Sequence, residues 1–288
     1  MHKKSFQSFK NSPFQSVKHS TYFDVYDEIF SKYQGKEITF VEVGILDGGS
    51  LFMWRDFFGN KARIIGVEFN PDGKKWEEHG FEIYIGDQSD NNFWKDIFEK
   101  IGPIDLLLDD GGHTFEQQIV TVEESLKYIN DGGKVVVEDT HTSYMKDFGG
   151  PSMFSFISYA KKKIDKCNYR FSLFNKSKVN EKSIYSISFY ESFVIFNINR
   201  KKSNTTSELV KNLGKEIVAK DYRDKDSKIL SLINDRLYLI KHAKLTKTKN
   251  IFSVLYYKII RTILKIVLKL TQIKKRFFFS LKNIRLFF

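Results

Sequence analysis

The feature that most constrains the fold is a regular alternation of short β-rich runs and helical patterns between residues 38 and 200. Five runs rich in Val, Ile, Leu and Phe precede residue 141, at 38–44, 63–69, 81–87, 104–110 and 134–139. Continuous apolar runs separated by helices are typical of a parallel sheet that is buried on both faces. We therefore predict a doubly wound, mostly parallel α/β sheet.

The segments between and after these runs carry helical signals. Four helices are predicted, near residues 50–58, 71–78, 92–100 and 152–163. Apolar residues at alternating spacings of four and three predict a further amphipathic helix over 115–129, ended by Gly132-Gly133. The runs 184–190 and 193–198 flank Glu191-Ser192, which predicts a C-terminal hairpin that adds one antiparallel strand.

In open sheets of this kind a ligand binds beyond the carboxyl ends of the strands, so the residues after each run are informative. The first run ends in Glu42-Val43-Gly44, and Gly48, Gly49 and Ser50 follow. Glycines there permit positive φ angles and close approach to a ligand, before a helix N-terminus that favours anionic groups. The spacing matches neither GxGxxG nor a P-loop, so this turn alone is weak evidence.

Polar residues also end the second and third runs. Glu68 closes the second, where a carboxylate can accept hydrogen bonds from both hydroxyls of a ribose. Asp87 and Gln88 close the third, where an adenine edge would lie. A single acid at a strand end is usually a loop residue, whereas polar groups at successive strand ends favour a nucleoside-containing ligand.

Acids and histidines crowd the ends of the fourth and fifth runs, at Asp109-Asp110-Gly111-Gly112-His113 and Glu138-Asp139-Thr140-His141. Neighbouring strands lie about 4.8 Å apart, and so many acids repel one another by several kcal/mol, roughly, unless a cation or proton compensates. Hard oxygen ligands with the histidines left free favour Mg²⁺, ahead of Mn²⁺ or Ca²⁺. In the alternative interpretation, Asp109 and Asp139 only cap the segments that follow them.

Side-chain direction limits which acids can share one ion. Successive side chains on a strand point to opposite faces, so Glu138 and Asp139 can meet one cation only if the chain leaves the strand there. The same alternation lets Asp109 face one ligand and Asp110 another.

The net charge of +12 belongs to the C-terminal end of the chain. Residues 241–288 contain 13 Lys and Arg and no acid, whereas the other 240 residues contain 34 basic and 35 acidic groups. The single cysteine, Cys167, excludes an intramolecular disulfide and fits a reducing cytosol, and no secretory signal is visible in the first twenty residues. We expect a cytoplasmic protein.

The basic tail has the pattern of an amphipathic helix. Lys258, Arg261, Lys265 and Lys269 recur at spacings of three, four and four, along one stripe of a helix. Each cation near the centre of a bilayer costs about 2.5–3.5 kcal/mol, so a helix lying in the interface of an anionic membrane fits better than a span. Docking on the protein's own core, on another subunit, or on nucleic acid is the alternative.

These strand ends resemble the class I S-adenosylmethionine-dependent methyltransferases, and more narrowly the metal-dependent macrolide and sugar O-methyltransferases and their relatives in bacterial polysaccharide pathways. The resemblance extends to about residue 200. The stretches that carry it are VEVGILDGGSLFMW (41–54), IIGVEFNP (64–71), GDQSD (86–90), DLLLDDGGHT (105–114) and GGKVVVEDTHTSY (132–144). We expect no counterpart of the large N-terminal extension of the macrolide enzymes, and the basic tail has no counterpart in these motifs.

The resemblance implies a role for each strand-end residue. It assigns S-adenosyl-L-methionine to Glu42, Gly44, Gly48, Ser50, Glu68, Asp87, Gln88 and Asp109. It places Mg²⁺ or Mn²⁺ on Asp110, Glu138 and Asp139, with His113 as general base and His141 in the substrate pocket beside the catalytic Asp110. The segment 19–30 resembles one that folds over the cofactor, with His19 and Tyr22 as further candidates.

We therefore expect a metal-dependent sugar O-methyltransferase of capsule, lipopolysaccharide or other glycan biosynthesis. Its expected substrate is a sugar or nucleotide-sugar. We also expect a homo-oligomer that contacts the inner membrane face through its tail. The expected organisation is a cofactor-covering segment (1–36), a Rossmann-like domain (37–200), a helical extension (201–246) and the tail (247–288). A nucleic-acid methyltransferase, a non-haem iron hydroxylase using His113 and His141, and a non-enzymatic scaffold are the rivals. The near-neutral body argues against nucleic acid as a partner.

Overall fold

The computed structural model describes residues 4–171, 182–205, 207–214, 227–243 and 251–284. In chain order the strands are β1 (Thr39–Val43), β2 (Arg63–Glu68), β3 (Glu82–Ile85), β4 (Ile104–Asp109), β5 (Ile129–Val137), β6 (Ile184–Tyr190) and β7 (Phe193–Ile198). The helices are α1 (Lys4–Asn11), α2 (Tyr22–Phe30), α3 (Gly49–Phe58), α4 (Asn91–Ile101), α5 (Phe115–Ser125), α6 (Phe156–Asn168), α7 (Arg200–Asn204), α8 (Lys228–Ala243) and α9 (Ile251–Asn283). Short 3₁₀ helices span Ser31–Tyr33, Pro71–His79, Thr140–Tyr144 and Lys146–Phe148.

The seven strands form one sheet in the order β3-β2-β1-β4-β5-β7-β6. β1 to β5 pair parallel with one another, and β7 pairs antiparallel with both β5 and β6. The predicted mostly parallel sheet and its closing hairpin are therefore confirmed. The chain order reverses beside β1, so that β1 and β4 flank the topological switch point at which such sheets bind ligands.

Two apolar layers cover the sheet. On one face α2 and α3 bury a largely aromatic cluster that includes Tyr26, Phe30 and Trp54. On the other face α4, α5 and α6 bury a second cluster that includes Trp94 and Phe156. Successive apolar residues of a strand contact opposite layers, as Phe40 and Val41 of β1 do, which is why the sequence runs show no strict alternation.

The predicted helix over 115–129 is wrong at its C-terminal end. α5 begins with a capping box between Thr114 and Gln117 but ends at Ser125, and Ile129 is the first residue of β5. Gly132-Gly133 therefore lies within β5 and does not end a helix. A Cβ on Gly133 would lie 2.2 Å from the carbonyl oxygen of Asp105, so a glycine is needed for β5 to pass along β4.

The chain divides into two compact units, residues 1–209 and 210–288. The second contains α8 and α9, and α9 continues the predicted tail helix to Asn283. Parts of the predicted 201–246 extension and both ends of the 247–288 tail lie outside the described residues. In the described part of the chain, no helix combines the length and apolar character that crossing a membrane requires.

Candidate functional site at the strand tips

The carboxyl ends of β1, β4 and β5 bring the predicted residues side by side. Val43 is in register with Asp109, and Asp109 with Val137. Backbone hydrogen bonds continue one residue past the strands, from Asp110 N–H to Val43 and from Glu138 N–H to Asp109. Asp110 and Glu138 are therefore neighbours at one edge of the sheet.

A cavity of about 420 Å³ opens at this edge. It brings together seven predicted site residues, Gly44, Glu68, Asp87, Gln88, Asp110, His113 and Asp139. Val17, from the segment before α2, also lines it. The predicted Glu42, Gly48, Ser50, Asp109, His19, Tyr22, Glu138 and His141 lie outside this lining. Cofactor-side and acidic residues thus share one cavity.

Two glycines in the turn after β1 are required by close packing. Gly44 has φ +82°, and a Cβ there would lie 2.2 Å from the carbonyl oxygen of Asp110. Gly48 has φ +73°, and a Cβ there would lie 2.3 Å from the Trp76 ring. Both positions favour glycine through their backbone conformation as well as their lack of space. Gly48 packs against the Trp76 ring and does not line the cavity.

Glu68 is buried and its two carboxylate oxygens each accept two backbone hydrogen bonds. Oε2 accepts from the N–H groups of Ile45 and Leu46, both at 3.0 Å. Oε1 accepts from the N–H groups of Phe69 and Asn70, both at 2.9 Å. Glu68 therefore fixes the turns after β1 and β2 to each other, a role that the sequence did not indicate. Its predicted contact with a ribose stays a prediction.

Glu42 lies fully buried behind the cavity. Its carboxylate accepts hydrogen bonds from Ser50 Oγ at 2.8 Å and Trp54 Nε1 at 2.9 Å. Burial raises the pKa of Glu42 to about 7, although Lys18 and these two donors oppose the rise. Ser50 and Glu42 thus anchor the start of α3 to β1.

Gln88 connects the third and fourth strand ends. Its Nε2 donates to Asp109 Oδ1 at 3.0 Å and to Thr121 Oγ1 at 3.2 Å, and its Oε1 accepts from Gly112 N–H at 2.8 Å. Burial raises the pKa of Asp109, and Asp109 Oδ2 has no partner among the described residues. Asp87 accepts from the N–H and Oγ of Ser89 at 2.8 and 2.7 Å. Asp109 and Asp110 face different partners, as the alternation predicted.

The acidic edge, formed by Asp110, Glu138 and Asp139, contains a cation that the sequence did not indicate. The Lys18 ammonium contacts Asp110 Oδ2 and lies 3.1 Å from Glu138 Oε1. Tyr26 Oη donates to the other oxygen of Glu138, Oε2, at 2.6 Å. Burial and the neighbouring Asp110 raise the pKa of Glu138 to about 8, with Lys18 opposing. Burial alone would lower the pKa of Lys18, but Asp110 and Glu138 raise it above its ordinary value.

Asp139 faces a different set of partners from its neighbour Glu138. β5 ends at Val137, and Asp139 has φ +55°, so the chain leaves the strand here as the prediction required. Tyr22 Oη donates to Asp139 Oδ1, and His113 Nε2 lies 3.5 Å from Asp139 Oδ2. Burial and this hydrogen bond raise the pKa of Tyr22. Tyr22 therefore binds the acidic edge through its hydroxyl and does not line the cavity.

The two predicted catalytic histidines differ in their surroundings. His113 has φ +60°, and its Nδ1 is buried without a partner in the described part of the chain. His141 Nδ1 lies 2.9 Å from Ser192 Oγ and 3.8 Å from Asp139 Oδ1. His19 is exposed, with its ring centroid 6.0 Å from that of His141. His113 faces the cavity, whereas His141 and His19 form a group beside it.

Among the residues that the structure describes, two groups of side chains have possible metal-ligand atoms within 4.8 Å of one another, Asp110 with His113 and Asp139, and His19 with Asp139 and His141. Glu138 belongs to neither group, and its oxygens contact Lys18 and Tyr26. The carboxylates of Asp110 and Asp139 suit a hard divalent cation. The Lys18 ammonium between Asp110 and Glu138 shows that a positive charge is favoured at this edge.

Comparison with known proteins identifies the central part of the chain. A family model described as "Methyltransferase domain" matches residues 41–140. The 8-demethyl-8-alpha-L-rhamnosyl tetracenomycin-C 2'-O-methyltransferase of Streptomyces olivaceus is 33% identical over 137 residues, which are 45% of this chain and 36% of that protein. Demethylmacrocin O-methyltransferase of Streptomyces fradiae is 33% identical over 134 residues, 44% of this chain and 33% of that protein. The chain thus spans about a third of the length of the curated relatives it matches.

A similar fold occurs in a solved structure. The structure titled MycE methyltransferase from the mycinamycin biosynthetic pathway, in complex with Mg and SAH, superposes with a TM-score of 0.62 and 23% identity, covering 70% of this chain and 55% of that one. The likeness supports the fold of the sheet and its covering helices. The resemblance predicted from the strand-end motifs is therefore confirmed, in that residues 41–140 match the model of a methyltransferase domain.

Proposed function

We propose that this chain, which carries a methyltransferase domain at residues 41–140, is an S-adenosylmethionine-dependent and divalent-metal-dependent O-methyltransferase acting on a sugar hydroxyl. The observation that carries the proposal is the shared cavity, in which Gly44, Glu68 and Asp87 from the cofactor side face Asp110 and His113. The matched relatives are named O-methyltransferases, one of them for a rhamnosyl compound.

A cofactor and a divalent cation would supply part of the chemistry. The turns after β1 to β3 would hold S-adenosylmethionine, which would supply a methyl group already activated by its sulfonium. Asp110, Glu138 and Asp139 would hold the cation, whose positive charge would make a nearby hydroxyl more acidic. The remaining task of the protein is to orient the acceptor hydroxyl and to accept its proton.

Its surroundings support His113 as the acceptor of that proton. Its Nδ1 is buried, so Nε2 is the ring nitrogen that can reach a substrate hydroxyl in the cavity. Asp139 Oδ2 lies 3.5 Å from Nε2. Imidazole exchanges protons close to neutral pH, which suits it to general-base catalysis here.

The reaction class and acceptor can be tested together. The protein is incubated with isotope-labelled S-adenosylmethionine, Mg²⁺ and a panel of nucleotide-activated sugars, and the products are analysed by mass spectrometry. Methyl incorporation into one sugar, lost on addition of EDTA and restored by Mg²⁺, is the expected result. Transfer that is unaffected by EDTA would contradict metal dependence, and transfer to RNA or DNA alone would contradict the sugar acceptor.

We further propose that the reaction belongs to surface polysaccharide or other glycan synthesis at the inner face of the membrane, with α9 as the membrane contact. In α9 the side chains of Lys258, Lys265 and Lys269 are exposed, and those of Ile263 and Leu270 are more than half exposed. Such a helix binds anionic headgroups through its cations and acyl chains through its apolar side chains.

Vesicle flotation tests the membrane contact. The full chain should float with phosphatidylglycerol-containing vesicles at low salt and bind weakly to neutral vesicles, whereas a chain that lacks residues 247–288 should remain at the bottom with both. Equal flotation of the two chains would contradict a role for α9.

A further inference from the structure

Lys18 occupies an unusual position for a lysine. It lies in the segment between α1 and α2, 92 residues before Asp110 and 120 residues before Glu138, and its side chain is only 2% exposed. Lysine side chains are rarely buried to this extent unless an acid pairs with them. Here two carboxylates do so at once, and the ammonium lies between the strand tips of β4 and β5.

The charges around Lys18 explain why it is held there. Glu138 is 1% exposed, and Glu42 is fully buried in the same region. Burying carboxylates without a positive charge nearby costs several kcal/mol for each, roughly, which paired groups avoid. Lys18 is thus the counter-charge of Asp110 and Glu138, while Asp139 is partnered by the neutral Tyr22 and by two histidines.

Both carboxylate oxygens of Glu138 already have a partner. Oε1 is taken by Lys18 and Oε2 by Tyr26, and Asp110 Oδ2 is also taken by Lys18. A metal ion that used Asp110 and Glu138 together would have to replace the ammonium, because two cations between the same two carboxylates repel each other strongly.

We propose that the Lys18 ammonium and the divalent cation compete for the carboxylates of Asp110 and Glu138, so that Lys18 is an internal counter-ion that the metal displaces. This inference rests on the metal component of the proposed function. It makes Lys18 a positioning residue that sets how much free metal the protein needs. Magnesium binds only when its attraction to the acidic edge exceeds that of the resident ammonium.

The segment that carries Lys18 also contacts the cofactor side. Ser12 Oγ donates to the carbonyl of Gly49 at 2.8 Å, the Phe14 ring packs on Trp76, and Val17 lines the cavity. The seven residues from Ser12 to Lys18 thus contact both the turn after β1 and the acidic edge, and displacement of the ammonium would remove one of these contacts.

Calorimetric titration with Mn²⁺ tests the competition. Lys18→Met removes the charge and keeps much of the volume, and we expect it to bind Mn²⁺ about tenfold more tightly than the wild type, or more, a gain of about 1.4 kcal/mol. Lys18→Arg retains the charge and should bind like the wild type. Lys36→Met removes the same charge from an exposed position and is the matched control.

Unchanged or weaker Mn²⁺ binding by folded Lys18→Met would overturn the proposal while leaving metal-dependent methyl transfer intact. Failure of every variant to bind Mn²⁺ would overturn both. Binding by Lys18→Met alone would support the competition in its strongest form.

A second measurement uses the wild-type chain and does not depend on the folding of a variant. Lysines are acetylated briefly with an N-hydroxysuccinimide ester, with and without saturating Mn²⁺, and quantified by mass spectrometry. We expect Lys18 to be protected before metal is added and to react several times faster afterwards, with Lys36 as the internal reference. Protection of Lys18 that persists while Mn²⁺ is bound would overturn displacement.

Discussion

The tips of β1 to β3 and the tips of β4 and β5 both carry buried acids, but the two regions neutralise them differently. On the cofactor side, Glu68 is held by four backbone N–H groups from turns close to it. On the acidic side, Asp110, Glu138 and Asp139 are held by side chains of the N-terminal segment, Lys18, Tyr22 and Tyr26. The cofactor side is therefore built by local turns, whereas the acidic side depends on a segment distant in the sequence.

The largest effect is expected from the acidic side, at the base itself. His113→Ala removes the proton acceptor, and general-base catalysis contributes about 10²–10⁴-fold, so kcat should fall by that amount. The affinity for S-adenosylmethionine, measured by calorimetry, should stay within about twofold of the wild type, because His113 belongs to the acidic side. A twofold change corresponds to less than about 0.5 kcal/mol. Retained turnover would exclude His113 as the base, and lost cofactor binding would show that the cavity itself had changed.

On the cofactor side, Glu68→Gln tests whether four amides hold the turns together. A glutamine offers one oxygen and one NH₂ group, so two backbone N–H groups would face a donor, and we expect a loss of about 4 kcal/mol in the free energy of unfolding. Chemical denaturation of Glu68→Gln and of the exposed control Glu99→Gln measures the difference. Equal stability of the two variants would show that the Glu68 network is dispensable.

The pH dependence of stability follows from the raised pKa of Glu42. A carboxyl group whose pKa rises from 4.5 to about 7 on folding stabilises the fold while it is protonated. Its contribution is complete below pH 4.5, falls as pH increases, and is lost above about pH 7. Between pH 5 and pH 8 this loss should lower the free energy of unfolding of the wild type by up to about 3 kcal/mol, and Glu42→Gln should not show it. Denaturation at pH 5 and pH 8 measures the difference.

Glu99→Gln should preserve the wild-type pH dependence, because Glu99 is exposed. A profile for Glu42→Gln that matches the wild type between pH 5 and pH 8 would show that Glu42 does not titrate in this range.

The smallest expected effect is the difference in stability between two variants that each lose one tyrosine hydroxyl. Tyr26 donates to the buried carboxylate of Glu138 at 2.6 Å, and Tyr33 donates to the neutral carbonyl of Gly132 at the same distance. Above pH 8 the carboxylate of Glu138 is charged, and hydrogen bonds to charged groups are stronger, so at such a pH Tyr26→Phe should cost about 2 kcal/mol and Tyr33→Phe about 1 kcal/mol. Thermal melting of the two variants gives the order, and the reverse order would indicate that Glu138 is protonated in the folded state.

Much of the fold could be predicted because it depends on local patterns. The continuous apolar runs, the strand-end acids and Glu191-Ser192 at the hairpin turn are all visible within a few residues. The helix over 115–129 was wrong because Leu126 and Ile129 continue an apolar spacing that suits a helix, although pairing with β4 places Ile129 in a strand. Tertiary pairing decided between two structures that the local pattern allowed.

The site could be predicted only in part. The acids, His113 and the glycines follow strands and were identified from that position. Lys18 and Tyr26 were missed, although repulsion among the clustered acids predicted some compensating cation. No local pattern indicates which of the many basic residues would supply that charge. Tyr22 is a candidate for covering the cofactor, which stays a prediction, and the structure shows that its hydroxyl contacts Asp139.

By itself the sequence determined the order of strands and helices, the turn at Gly44 and the set of acids after β4 and β5, because these follow from local backbone preferences and apolar periodicity. Only the tertiary structure decided how those acids are neutralised. Lys18, Tyr22 and Tyr26 reach them across more than ninety residues of chain. Contacts over such distances depend on packing of the whole N-terminal segment, which no local pattern encodes.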